Sequence, residues 1–140
     1  MTPQPNVTKA VPFFGIENMD RALAFYQAGL GFTMKHSWRP EGRLRWCWLD
    51  LDAASIMLQE YVEGKRPDGN LGQGISICFM CQDALAIYRE ALERGLEPEE
   101  PFVGNGLWVT GFTDPDGYRL FFESPTDVPE ETKLSDLQPL

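Results

Sequence analysis

Two carboxylates stand near the ends of strand-like runs in this chain, Glu60 in SIMLQEY and Glu123 in YRLFFES. A carboxylate so placed can ligate a divalent ion, pair with a cation, or act as a general acid or base if burial raises its pKa. Few other groups offer comparable chemistry. His36 is the only histidine, and nothing in the sequence places Ser76 or a cysteine beside it, so no Ser/His/Asp or Cys/His arrangement is evident. Cys78 and Cys81 form a C-x-x-C, but no second pair and no nearby histidine completes a zinc site. With Cys47 they make an odd number within apolar runs, which suits buried thiols in a reducing compartment better than a disulfide framework.

The tryptophans are the other candidates for function. Trp46 and Trp48 alternate with Arg45 and Cys47 in LRWCWLDL, so both indoles face one way, and Trp38 and Trp108 lie in neighbouring strands or turns. Flat aromatic walls take planar ligands, and beside a carboxylate they favour a cation.

The elements that must position these groups are legible as a repeat. Ala22-Leu23-Ala24-Phe25-Tyr26 matches Ala84-Leu85-Ala86-Ile87-Tyr88 at a constant offset close to half the chain. Each copy has apolar residues at helical spacing and stops at a glycine, Gly29 or Gly31 in the first and Gly95 in the second. An extended apolar run precedes each helix, AVPFFGI and GISICFMC. Three strand-like runs follow the first, GFTMKHSW, LRWCWLDL and SIMLQEY, and three follow the second, PEEPFVG, LWVTGFTD and YRLFFES. The pattern is β-α-β-β-β, twice, and predicts an α+β domain spanning 1–140. Its first module covers about 8–62, a Gly- and charge-rich linker about 63–73, the second module about 74–126, and a C-terminal arm 127–140. Asp114-Pro115-Asp116-Gly117 reads as a turn that fixes strand register.

A net charge of -9 disfavours nucleic acid and anionic membrane as partners, because both need a basic face. The opening MTPQPNVTKAV lacks a basic start and a long apolar core, and no apolar run approaches the span of a bilayer. The expected location is cytoplasmic.

The duplicated unit, MDRALAFYQAGLGF after the first strand and DPDGYRLFFESP near the end together resemble the vicinal oxygen chelate superfamily of glyoxalase I, bleomycin resistance proteins and extradiol dioxygenases. The resemblance spans about Val11 to Glu131. It implies two tandem modules whose curled mixed sheet forms a ligand cup, commonly in a homodimer. Metal-using members take ligands from the first and last strand of each module. Matching their pattern gives Val11, Leu58, Ser76 and Phe121, or Gln73 in place of Ser76 if the repeat offset is used. None of the four is a good ligand, so the usual metal site is expected to be absent. A displaced, weak divalent site on Glu60 and Glu123 stays open, with Gln59 or Gln73 as further donors.

In this reading Val11, Phe13, Leu58 and Phe121 point into the cup with Cys78 and Met80, and Glu60 and Glu123 stand nearer its mouth. The expected ligand-binding residues are Phe13, Trp38, Trp46, Trp48, Glu60, Trp108, Phe121 and Glu123, with no metal and no cofactor. The expected function is metal-independent sequestration of a planar or cationic small molecule, as in bleomycin resistance proteins. The alternatives are a metal-dependent lyase or dioxygenase with a displaced carboxylate site, and an interaction module whose cup is filled by its own side chains.

Overall fold

The computed structural model describes residues 4–137. The first apolar run yields β1 (Phe13–Ile16), followed by α1 (Met19–Leu23), which continues as a π-helical turn (Ala24–Gly29). Then come β2 (Thr33–Trp38), β3 (Trp46–Leu51) and β4 (Ala54–Glu60). The second half repeats the order with β5 (Ser76–Met80), α2 (Ala84–Glu93), β6 (Phe102–Gly104), β7 (Leu107–Thr113) and β8 (Arg119–Pro125), and a short α3 (Leu134–Leu137) follows.

The strands form two four-stranded mixed sheets, β1-β4-β3-β2 and β5-β8-β7-β6. In each, the first and last strands run parallel and the remaining pairs are antiparallel. The fold is α+β, as the repeat predicts.

Local chemistry explains the boundaries. Asn18 and Asp83 cap the two helices by accepting the backbone N–H groups of Arg21 and Ala86. Gly31 and Gly95, at φ of 87° and 88°, adopt the left-handed conformation that ends each helix. Asn105 and Gly106 both have positive φ, which suits the tight hairpin between β6 and β7. The first helix widens where the Leu30 N–H bonds to the Phe25 carbonyl and the Phe32 N–H to that of Tyr26. Both adjacent aromatic residues, Phe25 and Tyr26, are buried there.

One core runs through both halves. Phe14, Ile16, Cys47, Leu49, Ile56 and Leu58 from the first sheet join Phe79, Phe112, Leu120 and Phe122 from the second. The joint is aromatic: Phe14 stacks on Tyr118 at 4.1 Å, and Phe25–Phe112 and Phe32–Phe79 meet edge to face at 6.2 Å each. A buried polar lock accompanies it. Tyr26 Oη donates to Asp114 Oδ2 at 2.6 Å, Asp114 Oδ1 accepts the N–H groups of Asp116 and Tyr118, and Glu17 N–H donates to Asp116 Oδ1. The turn Asp114–Gly117 is therefore a structural hinge pin between the halves as well as a register device.

The connections make contacts of their own. Over its described part the C-terminal arm of 127–140 lies largely at the surface and is tied down. Val103 exchanges backbone hydrogen bonds with Thr132 and Glu131, the Leu134 N–H bonds to Pro101, and Leu134 is buried against Val103 and Trp108. Leu134 supplies the apolar anchor that a count of polar residues hides. The segment between the modules is also held: a Cβ on Gly72 would fall 2.2 Å from the Gly117 backbone, so only glycine permits that approach. Residues 1–3 and 138–140 of the expected arms lie outside the described residues.

Candidate functional site

Each sheet has a face packed against the helical core and a face turned away from it. On the first sheet, cross-strand pairing puts Trp38 opposite Trp46, His36 opposite Trp48, Trp46 opposite Gln59, Trp48 opposite Met57, and Phe13 beside Met57. Directly paired residues share a face. Phe13, His36, Trp38, Trp46, Trp48, Met57 and Gln59 therefore form one continuous open surface. Phe13 and Trp38 are about half exposed, at 53% and 52%, which is unusual for side chains of this size. His36 meets Trp48 edge to face with centroids 6.0 Å apart.

On the second sheet the same logic puts Ser76, Cys78, Met80, Arg119, Phe121, Glu123 and Val109 on the open face. Met80 is 65% exposed. Phe121 is covered from within the chain: the Arg119 guanidinium sits 5.0 Å from its ring centroid and makes two hydrogen bonds to Glu99, at 2.8 and 2.9 Å. Burial pushes the Cys78 thiol up, and the nearby Glu123 adds to the effect.

The structure thus brings Phe13, Trp38, Trp46 and Trp48 together on one surface and Phe121 with Glu123 on another. It separates Glu60 and Trp108 from both. Trp108 faces the interior, where it packs with Ala84, Val103 and Leu134. Glu60 is buried on the helix side of β4, with its side chain 4% exposed. Its Oε1 accepts from Arg43 at 2.5 Å and Arg45 at 2.7 Å, and its Oε2 accepts the Met19 N–H at 2.8 Å. Leu58, expected to point into the cup, is fully buried on the helix side, whereas Met57 and Gln59 take the open face.

Glu60 and Leu58 depart from expectation for one reason. Strand alternation has two possible phases, and in β4 both offer apolar residues, so matching the family pattern selects the phase that faces the helices. The signal that distinguishes them lies in the neighbouring strand, because Trp46 and Trp48 must share a face with whichever β4 residues pair with them.

Glu60 and Glu123 point to opposite sides of their sheets, and Glu60 is already saturated by two guanidinium groups and a helix N–H. The residues present do not fit the displaced divalent site. No three or more His, Cys, Asp and Glu side chains come together to hold a metal among the described residues.

A pocket of about 480 Å³ opens beside the first sheet's open face, lined by Phe13, Gly15, Gln59, Tyr61, Val62 and Lys65 together with Glu60. A neighbouring pocket of about 390 Å³ shares Glu60, Tyr61 and Val62 and adds Arg43, Arg45 and Arg66. Neither contains a residue of the second sheet. A further pocket of about 480 Å³ does touch both sheets, through Leu51 and Ala54 of the first and Phe79, Met80 and Phe122 of the second.

At the far end of the open face, sequence reasoning missed a polar group. Asp50 accepts from Trp48 Nε1 at 2.7 Å and from Ser55 Oγ at 2.6 Å, and the Ser55 bond holds its carboxyl below the usual range. The i, i+2 spacing of Trp48 and Asp50 within one strand was the available signal.

No curated protein matches the chain. Solved structures share its fold. TioX from Micromonospora sp. ML1 is 17% identical with a TM-score of 0.68, covering 85% of this chain and 99% of its own. A bleomycin-binding protein complexed with bleomycin is 20% identical with a TM-score of 0.67, covering 84% and 98%. A bleomycin resistance determinant encoded on the transposon Tn5 is 21% identical with a TM-score of 0.68, covering 87% and 100%. Among the described residues no helix is long and apolar enough to cross a membrane. The model of the Glyoxalase/Bleomycin resistance protein/Dioxygenase superfamily matches residues 12–122, and the chain belongs to that superfamily.

Proposed function

We propose that this protein binds a planar or cationic small molecule, without turnover and without a metal ion, as a homodimer. The observation that carries this reading is the open aromatic surface of Phe13, Trp38, Trp46 and Trp48, with His36 at its edge. A chain of this size rarely leaves such a surface in water unless something covers it.

In the proposed assembly the open face of one chain's first sheet is covered by the open face of its partner's second sheet. The exposed Met80 and Phe102 of the second sheet offer the apolar complement to Phe13 and Trp38. The cup then has indole walls on one side and, on the other, Glu123 beside the Arg119-covered ring of Phe121. Aromatic walls stack a planar ligand, and the Glu123 carboxylate favours a positive charge on it. Bleomycin binding by a protein of this fold supports the class of ligand.

Metal independence is supported by the residues on the open faces of the first and last strands of each half: Phe13, Gly15, Met57, Gln59, Ser76, Cys78, Phe121 and Glu123. These offer too few hard or imidazole donors for a catalytic divalent centre.

Sedimentation equilibrium combined with calorimetric titration of planar cations and anions tests the reading. The expected result is a dimer that binds planar cations saturably, one per chain, with unchanged affinity in EDTA. A strict monomer that binds none of them, or a ligand consumed with metal-dependent turnover, would overturn it.

A further inference from the structure

The segment before β1 runs along the first sheet, where the Pro12 carbonyl accepts the Met57 N–H. Residues 4–10 are exposed. Lys9 nevertheless reaches back to the open face. Its Nζ donates to Ser55 Oγ at 2.5 Å and lies 5.8 Å from the Trp48 ring centroid. Ser55 is buried, and its hydroxyl donates a hydrogen bond to Asp50 Oδ1, which also accepts from the Trp48 indole.

An ammonium over an indole face, hydrogen-bonded to a hydroxyl that leads to a carboxylate, is a recognition set for an organic amine. Here the amine belongs to the chain itself. The three partners come from rigid strands, Trp48 and Asp50 from β3 and Ser55 from β4, whereas Lys9 comes from an exposed segment outside the sheet. The fixed part is therefore the receptor, and the lysine is the part that can leave. A lysine stem also gives up its rotamer freedom to stay there, whereas a ligand already stacked on the indoles places its amine in the subsite at no further association cost.

We propose that Trp48, Ser55 and Asp50 form an ammonium subsite of the cup, and that Lys9 is its built-in occupant, displaced when a cationic ligand binds. The proposal rests on the binding-protein reading above and gives it a mechanism of selectivity. A neutral planar compound gains nothing from the subsite, whereas an amine-bearing one exchanges with Lys9 and keeps the carboxylate neutralised.

The test is a proflavine titration followed by the dye's fluorescence anisotropy, on wild type, Lys9→Gln, Arg89→Gln and the double variant Lys9→Gln/Asp50→Asn. Arg89→Gln, at an exposed position of α2, controls for the loss of one positive charge away from the open faces. Lys9→Gln is expected to bind about threefold to fivefold more tightly than wild type, the scale of one exposed cation–π contact. Arg89→Gln should match wild type, and Asp50→Asn should erase the gain. Equal affinity of wild type and Lys9→Gln overturns the subsite while leaving the cup intact. So does an equal gain in Arg89→Gln, or a gain that survives Asp50→Asn. Absence of saturable proflavine binding in every variant overturns the subsite and the binding-protein reading together.

Discussion

The two sheets have the same strand order and the same mixture of parallel and antiparallel pairs, yet their open faces differ in kind. The first leaves Phe13 and Trp38 about half exposed, with Trp46 beside them and Trp48 held by Lys9, Asp50 and His36. The second covers its central aromatic, Phe121, with the Arg119–Glu99 pair. The helix sides, in contrast, are alike: both are closely packed and mainly apolar, and both feed one core. A duplicated unit keeps the face that folds it and is free to vary the face that does not. The first sheet's open surface is thus the place where this chain departs from what packing alone requires.

That contrast can be broken most severely at the joint. Phe112→Ala removes a buried ring that touches Phe25 and Phe122 and should destabilise by about 3–5 kcal/mol in chemical unfolding. Trp48→Ala, which removes more atoms from the open face, should cost less than about 1 kcal/mol because the indole is only half-buried. Comparable losses for the two would mean that the open face is structural.

The two carboxylates provide a second comparison. Glu60→Gln leaves two guanidinium groups facing a neutral amide in a buried position, and about 2 kcal/mol should be lost, discounted for the exposure of Arg43. Glu123→Gln should stay within about 0.5 kcal/mol. Thermal unfolding of both variants at one pH decides the matter.

The lock between the halves adds a pH dependence. Burial raises the Asp114 pKa, against the hydrogen bond from Tyr26 that lowers it. A carboxyl raised in the folded state contributes fully below its ordinary value of 3.8 and loses that contribution as pH rises through the folded value. Tyr26→Phe removes the bond that favours the charged form and so raises the folded value further. The variant should lose about 1.5 kcal/mol at neutral pH, and visibly less near pH 4, when unfolding is followed across that range.

Much of the scaffold was legible in the sequence because it rests on local signals. The Ala-Leu-Ala-Phe/Ile-Tyr repeat, the glycines that end each helix, and Asn105-Gly106 all lie where the structure needs them. The π-helical turn was not legible, since tertiary burial of Phe25 and Tyr26 decides it rather than propensity. The aromatic surface was half legible: alternation placed Trp46 and Trp48 together, and pairing then brought Trp38 and Phe13 beside them. Glu60 and Trp108 were misplaced because the phase of β4 and the docking of Leu134 are long-range facts. Asp50, Ser55 and Lys9 were overlooked for the same reason, their partnership spanning three separate segments.

The most direct test of the central claim is a proflavine anisotropy titration in EDTA on wild type and Trp46→Ala/Trp48→Ala. Saturable binding at one site per chain in the wild type, lost in the double variant while its unfolding transition persists, is the predicted result. Binding that survives loss of both indoles, or that appears only after a divalent ion is added, would contradict it.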